Sequence, residues 1–303
     1  MTSEPITYLN GEFLPFSEAR LSLHDAGLVF GAIITDRCRT FRGQCFRLRE
    51  HLSRFRQSCS LGHVPLEKSD QELTLIVEEI LTRTAFVFKK EGDLSIIFLA
   101  TPGTLGSFAG LDENGPPTLV VYAIPLQVKR YRSLFTQGAA LLFSPALIDP
   151  EVIDPRIKHR SRLHWWIADQ ELLRTPGKNE SALFVTSSTP SYVRETSIAN
   201  FLAVIDGQVI SPPRSQILNG VSLQVVEELC VSLSIPFRER EISIEEVLRA
   251  TTECLLTNSA FGIAGVSTIQ SRRKFWPGET YQRLLGAYSK LVGVDLAEQI
   301  LNE

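Results

Sequence analysis

The sequence predicts a two-domain protein of the α+β or α/β class, and three observations carry that expectation. Its 303 residues exceed one ordinary domain of roughly 100 to 200 residues. Short turn dipeptides lie between alternating segments in three places. These are Asn10-Gly11 after ITYL, Arg42-Gly43 between RCRTF and QCFRL, and Asp206-Gly207 between FLAVI and QVI, each the signature of a hairpin in antiparallel sheet. Between the hairpins, apolar residues recur at helical spacing, first Leu48, Leu52, Phe55 and Cys59, then Leu73, Val77, Ile80 and Leu81.

The remaining elements follow in order. LSIIFLAT and TLVVYAI read as two strands that close the first half. The run PLQVKRYR is short, basic and without regular pattern, which suits a linker over 125–131 between domains at 1–124 and 132–303. GAALLFSP then reads as a strand, ALIDPEVIDP as a turn-rich stretch, and the chain becomes helical by about Leu163. The strands ALFVT, SYVRE and IANFLAVI come next, and Asn219-Gly220 precedes the amphipathic helix VSLQVVEELCVSL. Ser243 with Glu246 forms a capping box for the following helix. A strand pair, ECLLTN and FGIAGVSTI, and a helix from about Glu279 complete the second half.

Composition narrows the partners. With 31 basic against 34 acidic side chains the net charge is -3, whereas nucleic acid and anionic membranes select for a concentrated basic surface. Small molecules are the expected partners. No apolar run is long enough to span a bilayer and no basic start precedes an apolar stretch, so a cytoplasmic protein is expected. The five cysteines form no CxxC pair, and no metal site is indicated. Phosphate-loop, GxGxxG, HExxH and GxSxG patterns do not occur.

What remains is a constellation of separate segments. Lys158 lies in DPRIKHRSRL, Glu195 in YVRETSIANF, and Gly220, Val221 and Ser222 open the helix after ILN. Arg54 in a His-Leu-x-Arg helix and Ser259 in LLTNSAFG extend it. In that order these segments resemble the class IV aminotransferases, the pyridoxal-phosphate enzymes that include branched-chain and D-amino-acid aminotransferases and aminodeoxychorismate lyase. The resemblance spans nearly the whole chain. It implies fold type IV, with a small α/β domain and a larger domain built on an antiparallel barrel-like sheet, and a homodimer.

The resemblance also implies roles. Lys158 would carry pyridoxal 5'-phosphate as a Schiff base and shuttle the substrate proton, which needs an amine able to lose its charge. Glu195 would keep the pyridine nitrogen protonated and the ring an electron sink. The phosphate would meet the N–H groups of Val221 and Ser222 at a helix start, the Ser259 hydroxyl and the Arg54 cation. The substrates would be an amino acid and a 2-oxo acid. An alternative is a 4-amino-4-deoxychorismate lyase-type enzyme that releases pyruvate.

Departures from the family pattern fall at substrate contacts. The usual glycine-aspartate-glycine-x-phenylalanine-glutamate stretch is here Gly31 to Asp36, with Thr35 in place of the aromatic. Leu163 stands where branched-chain enzymes carry tyrosine, and Pro102-Gly103 where D-amino-acid enzymes carry a carboxylate-gripping arginine. A substrate carboxylate still needs a cation. Of Arg37, Arg39 and Arg162, Arg39 is the expected partner, with Thr35 and Leu163 enlarging an apolar pocket for aliphatic substrates.

Overall fold

All three turn dipeptides reverse the chain with both residues at positive φ: 48° and 104° at Asn10-Gly11, 51° and 79° at Arg42-Gly43, 50° and 72° at Asp206-Gly207. This mirror-image turn matches the twist of the strands it joins. The structure is a computed structural model that describes residues 4–85, 87, 92–145, 153–174, 180–249 and 253–302. The chain divides into two compact units, Met1–Leu126 with Ile157–Ser161, and Gln127–Arg156 with Arg162–Glu303.

The first unit contains β1 (Ile6–Leu9), β2 (Glu12–Pro15), α1 (Ala26–Val29), β3 (Ile34–Phe41), β4 (Gln44–Cys45), α2 (Leu48–Leu61), α3 (Asp70–Ala85), β5 (Leu94–Thr101), α4 (Gly106–Ala109) and β6 (Thr118–Pro125). Its sheet has the order β2-β1-β6-β5-β3-β4, and every pairing is antiparallel. The helical spacings read from the sequence hold, because Leu52, Phe55 and Cys59 of α2 and Leu73, Val77 and Ile80 of α3 are buried against one face of the sheet. Ile34 and Cys38 of β3 join that core. By strand alternation Asp36 shares their face, while Thr35, Arg37 and Arg39 point to the other.

The segment Ile157–Ser161, expected within the 132–303 domain, packs in this first unit. It runs along the free edge of β3. Ile34 and His159 form an antiparallel bridge, Thr35 N–H donates to the Lys158 carbonyl at 2.9 Å, and Arg160 N–H donates to the Ile33 carbonyl at 2.9 Å. Gly31 sits at φ 68°, a conformation that favours glycine, and its carbonyl accepts from Ser161 Oγ at 2.6 Å.

The second unit contains α5 (Arg132–Thr136), β7 (Ala139–Pro145), α6 (Leu163–Arg174), β8 (Glu180–Val185), β9 (Val193–Thr196), β10 (Asn200–Ile205), β11 (Gln208–Ser211), α7 (Val221–Ser232), β12 (Phe237–Glu239), α8 (Ile244–Arg249), β13 (Glu253–Asn258), β14 (Gly262–Ile269), β15 (Arg272–Arg273), α9 (Glu279–Val292) and α10 (Leu296–Asn302). Strand β10 pairs with both β13 and β9, so the path β10-β13-β14-β7-β8-β9 closes on itself. The result is the barrel-like sheet the sequence led us to expect. It is antiparallel except at β7, which runs parallel to both β14 and β8.

Local signals in this unit also hold. Ser243 N–H donates to Glu246 Oε2 at 3.0 Å and Glu246 N–H to Ser243 Oγ at 3.1 Å, a reciprocal capping box at the start of α8. The turn-rich stretch lies largely outside the described residues, as do residues 250–252 at the far end of that helical motif. Among the described residues no helix is long and apolar enough to cross a membrane.

Helix α9 is capped from a distance. Its N-cap, Gly278, has no side chain, and the buried carboxylate of Glu253 on β13 accepts from the N–H groups of Thr280 and Tyr281 at 3.0 and 2.9 Å. A Cβ on residue 278 would lie 2.0 Å from Glu253 Cδ, so the close approach requires glycine. Glu253→Ala should therefore lower the unfolding free energy by about 2–4 kcal/mol, since two helix-start donors lose a buried acceptor. Urea titration measures this; a change within a few tenths of a kcal/mol would refute the capping role.

Candidate active site

In the first unit the chemistry gathers on one stripe of α2. His51, Arg54 and Ser58 are spaced i, i+3, i+7 and so share a face. Arg54 donates from Nε to Asp36 Oδ2 at 2.7 Å and from Nη2 to Asp36 Oδ1 at 2.8 Å. His51 Nδ1 lies 2.7 Å from Asp36 Oδ1. One turn further along, Ser58 Oγ accepts from Lys158 N–H at 3.1 Å. The Lys158 backbone is thus held on one side by α2 and on the other by Thr35 of β3.

Asp36 is fully buried. Burial pushes its carboxyl upward, but the Arg54 and His51 side chains outweigh that and hold it well below the usual carboxylate range. For His51, burial pushes the imidazole down and prevails over the attraction of Asp36. Sequence reasoning had quoted Asp36 and His51 only as parts of motifs. An aspartate at an inward position between Ile34 and Cys38 was the available signal.

In the second unit Glu195 is the penultimate residue of β9, and a short turn leads into β10. Asn200 Nδ2 donates to Glu195 Oε2 at 2.9 Å and to the Leu218 carbonyl at 2.8 Å, while Leu218 N–H points to both Glu195 oxygens at 3.4 Å. The Asn200 side chain thus ties the carboxylate to the loop before α7. Gly220 is the N-cap of α7 and has no capping side chain. A Cβ there would meet Asn200 Oδ1 at 2.0 Å.

Val221 and Ser222 are the first two residues of α7, both buried, and Tyr288 of α9 bonds through its hydroxyl to Ser222 Oγ at 3.3 Å. Arg214 fixes the same loop, donating to Asn219 Oδ1 at 2.7 Å, to Glu239 Oε1 at 2.7 Å and to Glu227 Oε2 at 2.5 Å. Ser259 lies in the turn between β13 and β14 beside Asn258, whose Oδ1 accepts from Ala260 N–H at 2.7 Å. Helix-start N–H groups with no capping acceptor from their own N-cap suit a phosphate, and a carboxylate held in place suits a protonated pyridine nitrogen.

The substrate residues named from sequence fare differently. Thr35 is buried and spends its hydroxyl on the Phe98 carbonyl at 2.9 Å. Leu163, the first residue of α6, is exposed. Arg39 requires a correction, because its guanidinium is buried, donates to Asp93 Oδ2 at 2.9 Å and to the Thr40 carbonyl at 3.1 Å, and lies 3.9 Å over the Phe41 ring. Arg162 donates to the Ser197 carbonyl at 3.2 Å and stacks over Trp165.

A six-strand closed barrel, an antiparallel sheet unit and a lysine held at the edge of β3 define an enzyme of the fold type IV class. The chain belongs to the amino-transferase class IV family, whose model matches residues 34–269. It is similar to a D-alanine aminotransferase of Staphylococcus aureus, at 25% identity over 261 residues covering 86% of this chain and 87% of the relative. A putative branched-chain-amino-acid aminotransferase of Methanocaldococcus jannaschii is 26% identical over 269 residues, 88% of each chain. The fold is also that of a T.th. branched-chain amino acid aminotransferase solved with pyridoxamine 5'-phosphate, with a TM-score of 0.80, 22% identity, and coverage of 98% of this chain and 97% of that one.

The buried triad sets an acid limit on stability. Both folded-state pKa values lie below the usual 3.8 of Asp and 6.5 of His, so the unfolded chain binds more protons and stability falls as pH falls. The His51 contribution is complete above 6.5 and is lost below it; that of Asp36 is complete above 3.8 and is lost in stronger acid. Asp36→Asn should remove the lower limb and, by leaving Arg54 buried without its counter-ion, cost about 3–5 kcal/mol near neutrality. Denaturation of the apoprotein from pH 1 to 8 measures both. Parallel wild-type and variant curves would exclude Asp36 as the titrating group.

Proposed function

We propose that this class IV enzyme binds pyridoxal 5'-phosphate on Lys158 and moves an amino group between an aliphatic amino acid and a 2-oxo acid, working as a homodimer. The observation that carries the reading is the fixing of the Lys158 backbone between Ser58 and Thr35, on the same helix face that presents Arg54. Backbone restraint on both sides leaves the long side chain as the moving part. The names of the relatives, D-alanine and branched-chain aminotransferases, support small apolar substrates.

The bound cofactor would supply an aldehyde and an electron-withdrawing ring. The protein's own groups do the rest. Lys158 Nζ would hold the cofactor, leave it when a substrate amine arrives, and carry a proton to and from the substrate Cα. Glu195, kept in place by Asn200 and Leu218, would hold a proton on the pyridine nitrogen. Arg54, oriented by Asp36, and the first N–H groups of α7 would bind the phosphate.

Borohydride reduction of the purified holoprotein followed by peptide mapping tests the central residue. A pyridoxyl label on Lys158 is expected, and Lys158→Ala should bind cofactor but take no label. Label on another lysine would overturn the assignment. Glu195→Gln should retain cofactor and lose about two to three decades of turnover. Turnover that proceeds without any 2-oxo acid would favour the lyase reading.

An apolar patch supports the homodimer. Leu23, Leu28, Phe30, Phe108 and Leu111 are exposed, with Leu23 at 77%, and the Phe30 and Phe108 rings meet edge to face at 5.6 Å. Large exposed apolar side chains that pack on one another in this way often mark an interface. Phe30→Asp with Phe108→Asp should convert the wild-type dimer to monomer by light scattering. An unchanged mass would place the interface elsewhere.

A further inference from the structure

We propose that Arg37 is the cation that receives a carboxylate of the substrate. This rests on the aminotransferase reading above and names its specificity-determining residue. The first observation is the charge balance along the face of β3 that carries Thr35, Arg37 and Arg39. Arg39 is neutralised by Asp93. Arg37 is half-buried, and its Nε and Nη2 both donate to one neutral acceptor, the Ser95 hydroxyl, at 3.0 and 2.7 Å. Among the described residues its guanidinium meets no carboxylate.

A partly desolvated guanidinium without a counter-ion is costly, and its five N–H donors cannot be satisfied by a single hydroxyl. The Ser95 oxygen is fully buried and engages one edge of the fork, which fixes the direction of the other edge. An oriented fork with unspent donors is suited to a planar carboxylate, which two parallel N–H groups bind with shape as well as charge.

Position supplies the second observation. Thr35, one side-chain repeat from Arg37 on the same strand face and about 7 Å away along the strand, gives its N–H to the Lys158 carbonyl. Across the sheet Arg37 is in register with Ile97, and Ile97 with Tyr122, so an aliphatic and then an aromatic residue lie beyond it on that side. Apolar neighbours lower the local dielectric and strengthen a charge-assisted contact. This arrangement combines an anion acceptor with an apolar wall near the lysine segment, which fits an aliphatic amino acid or 2-oxo acid.

The test uses the holoprotein and two readouts. In the half-reaction followed by the cofactor band, leucine and alanine, each as both enantiomers, are compared with 3-methylbutan-1-amine and ethylamine. Arg37→Gln should raise KM for the amino acids about 10- to 100-fold with a smaller effect on kcat, spare the amines, and be partly rescued by Arg37→Lys. In the second readout, 4-methylpentanoate, a carboxylate that cannot react, is titrated into wild type and Arg37→Gln, and binding at least about tenfold weaker in the variant is expected. Equal affinity in the two proteins, including failure of both to bind, or equal losses for acids and amines, would overturn the assignment. A holoprotein labelled at Lys158 that gives equal affinities would overturn only the Arg37 role. Absence of label at Lys158 would remove the reading on which it rests.

Discussion

The buried carboxylate of Asp36 is the interaction on which the first unit depends. It accepts four hydrogen bonds, from Arg37 N–H, His51 Nδ1, Arg54 Nε and Arg54 Nη2, at 2.7 to 2.8 Å. Oδ1 takes three of these and Oδ2 one, so both oxygens are engaged. Its charge is compensated in place, and the donors come from its own strand and from α2. Strand and helix are therefore locked at one distance and one rotation. The Ser58 hydroxyl, one turn beyond Arg54, inherits that registration and sets the height of Lys158.

The second unit solves a similar problem with shorter levers. Glu195 is held in place by the Asn200 amide and the Leu218 backbone N–H. Asn200 is the hinge pin of this arrangement, because the same Nδ2 serves Glu195 and the loop before α7. The glycine at 220 lets the Asn200 Oδ1 approach to a distance no Cβ allows. Arg214 then clamps that loop to β12 and α7 through three acceptors. Dipoles fixed before the reaction need no rearrangement during it, which is where electrostatic catalysis gains most.

Local chemistry made much of this legible in the sequence, and long-range chemistry did not. Dipeptides such as Asn10-Gly11 encode their turn within two residues, and the α2 spacing encodes its buried face within four. The Ser243–Glu246 cap is equally local. The closing of the barrel is not, because it depends on β10 finding β9 on one side and β13 on the other. Nor was the placing of Ile157–Ser161 with the first unit, since its partner residues lie 100 to 130 positions earlier. The motif match named Lys158, Glu195 and Arg54 but was silent on Ser58 and Arg214, whose partners are set by packing.

The arginines of β3 show why residue type alone misleads at a substrate site. Arg37 and Arg39 have the same side chain, strand and face. What separates them is Asp93, which lies 54 residues beyond Arg39 in sequence and takes its charge. Arg37 meets Ser95 instead, a partner that directs a guanidinium without neutralising it. Strand alternation extends the contrast, since Asp36 between them faces the helices and gives its charge to Arg54. One strand thus carries two electrostatic tasks on opposite faces. Its inward aspartate orients the Arg54 cation, and its outward Arg37 meets a neutral hydroxyl. Because a one-residue slip of β3 would exchange those faces, the register with β5 decides which face each charge occupies.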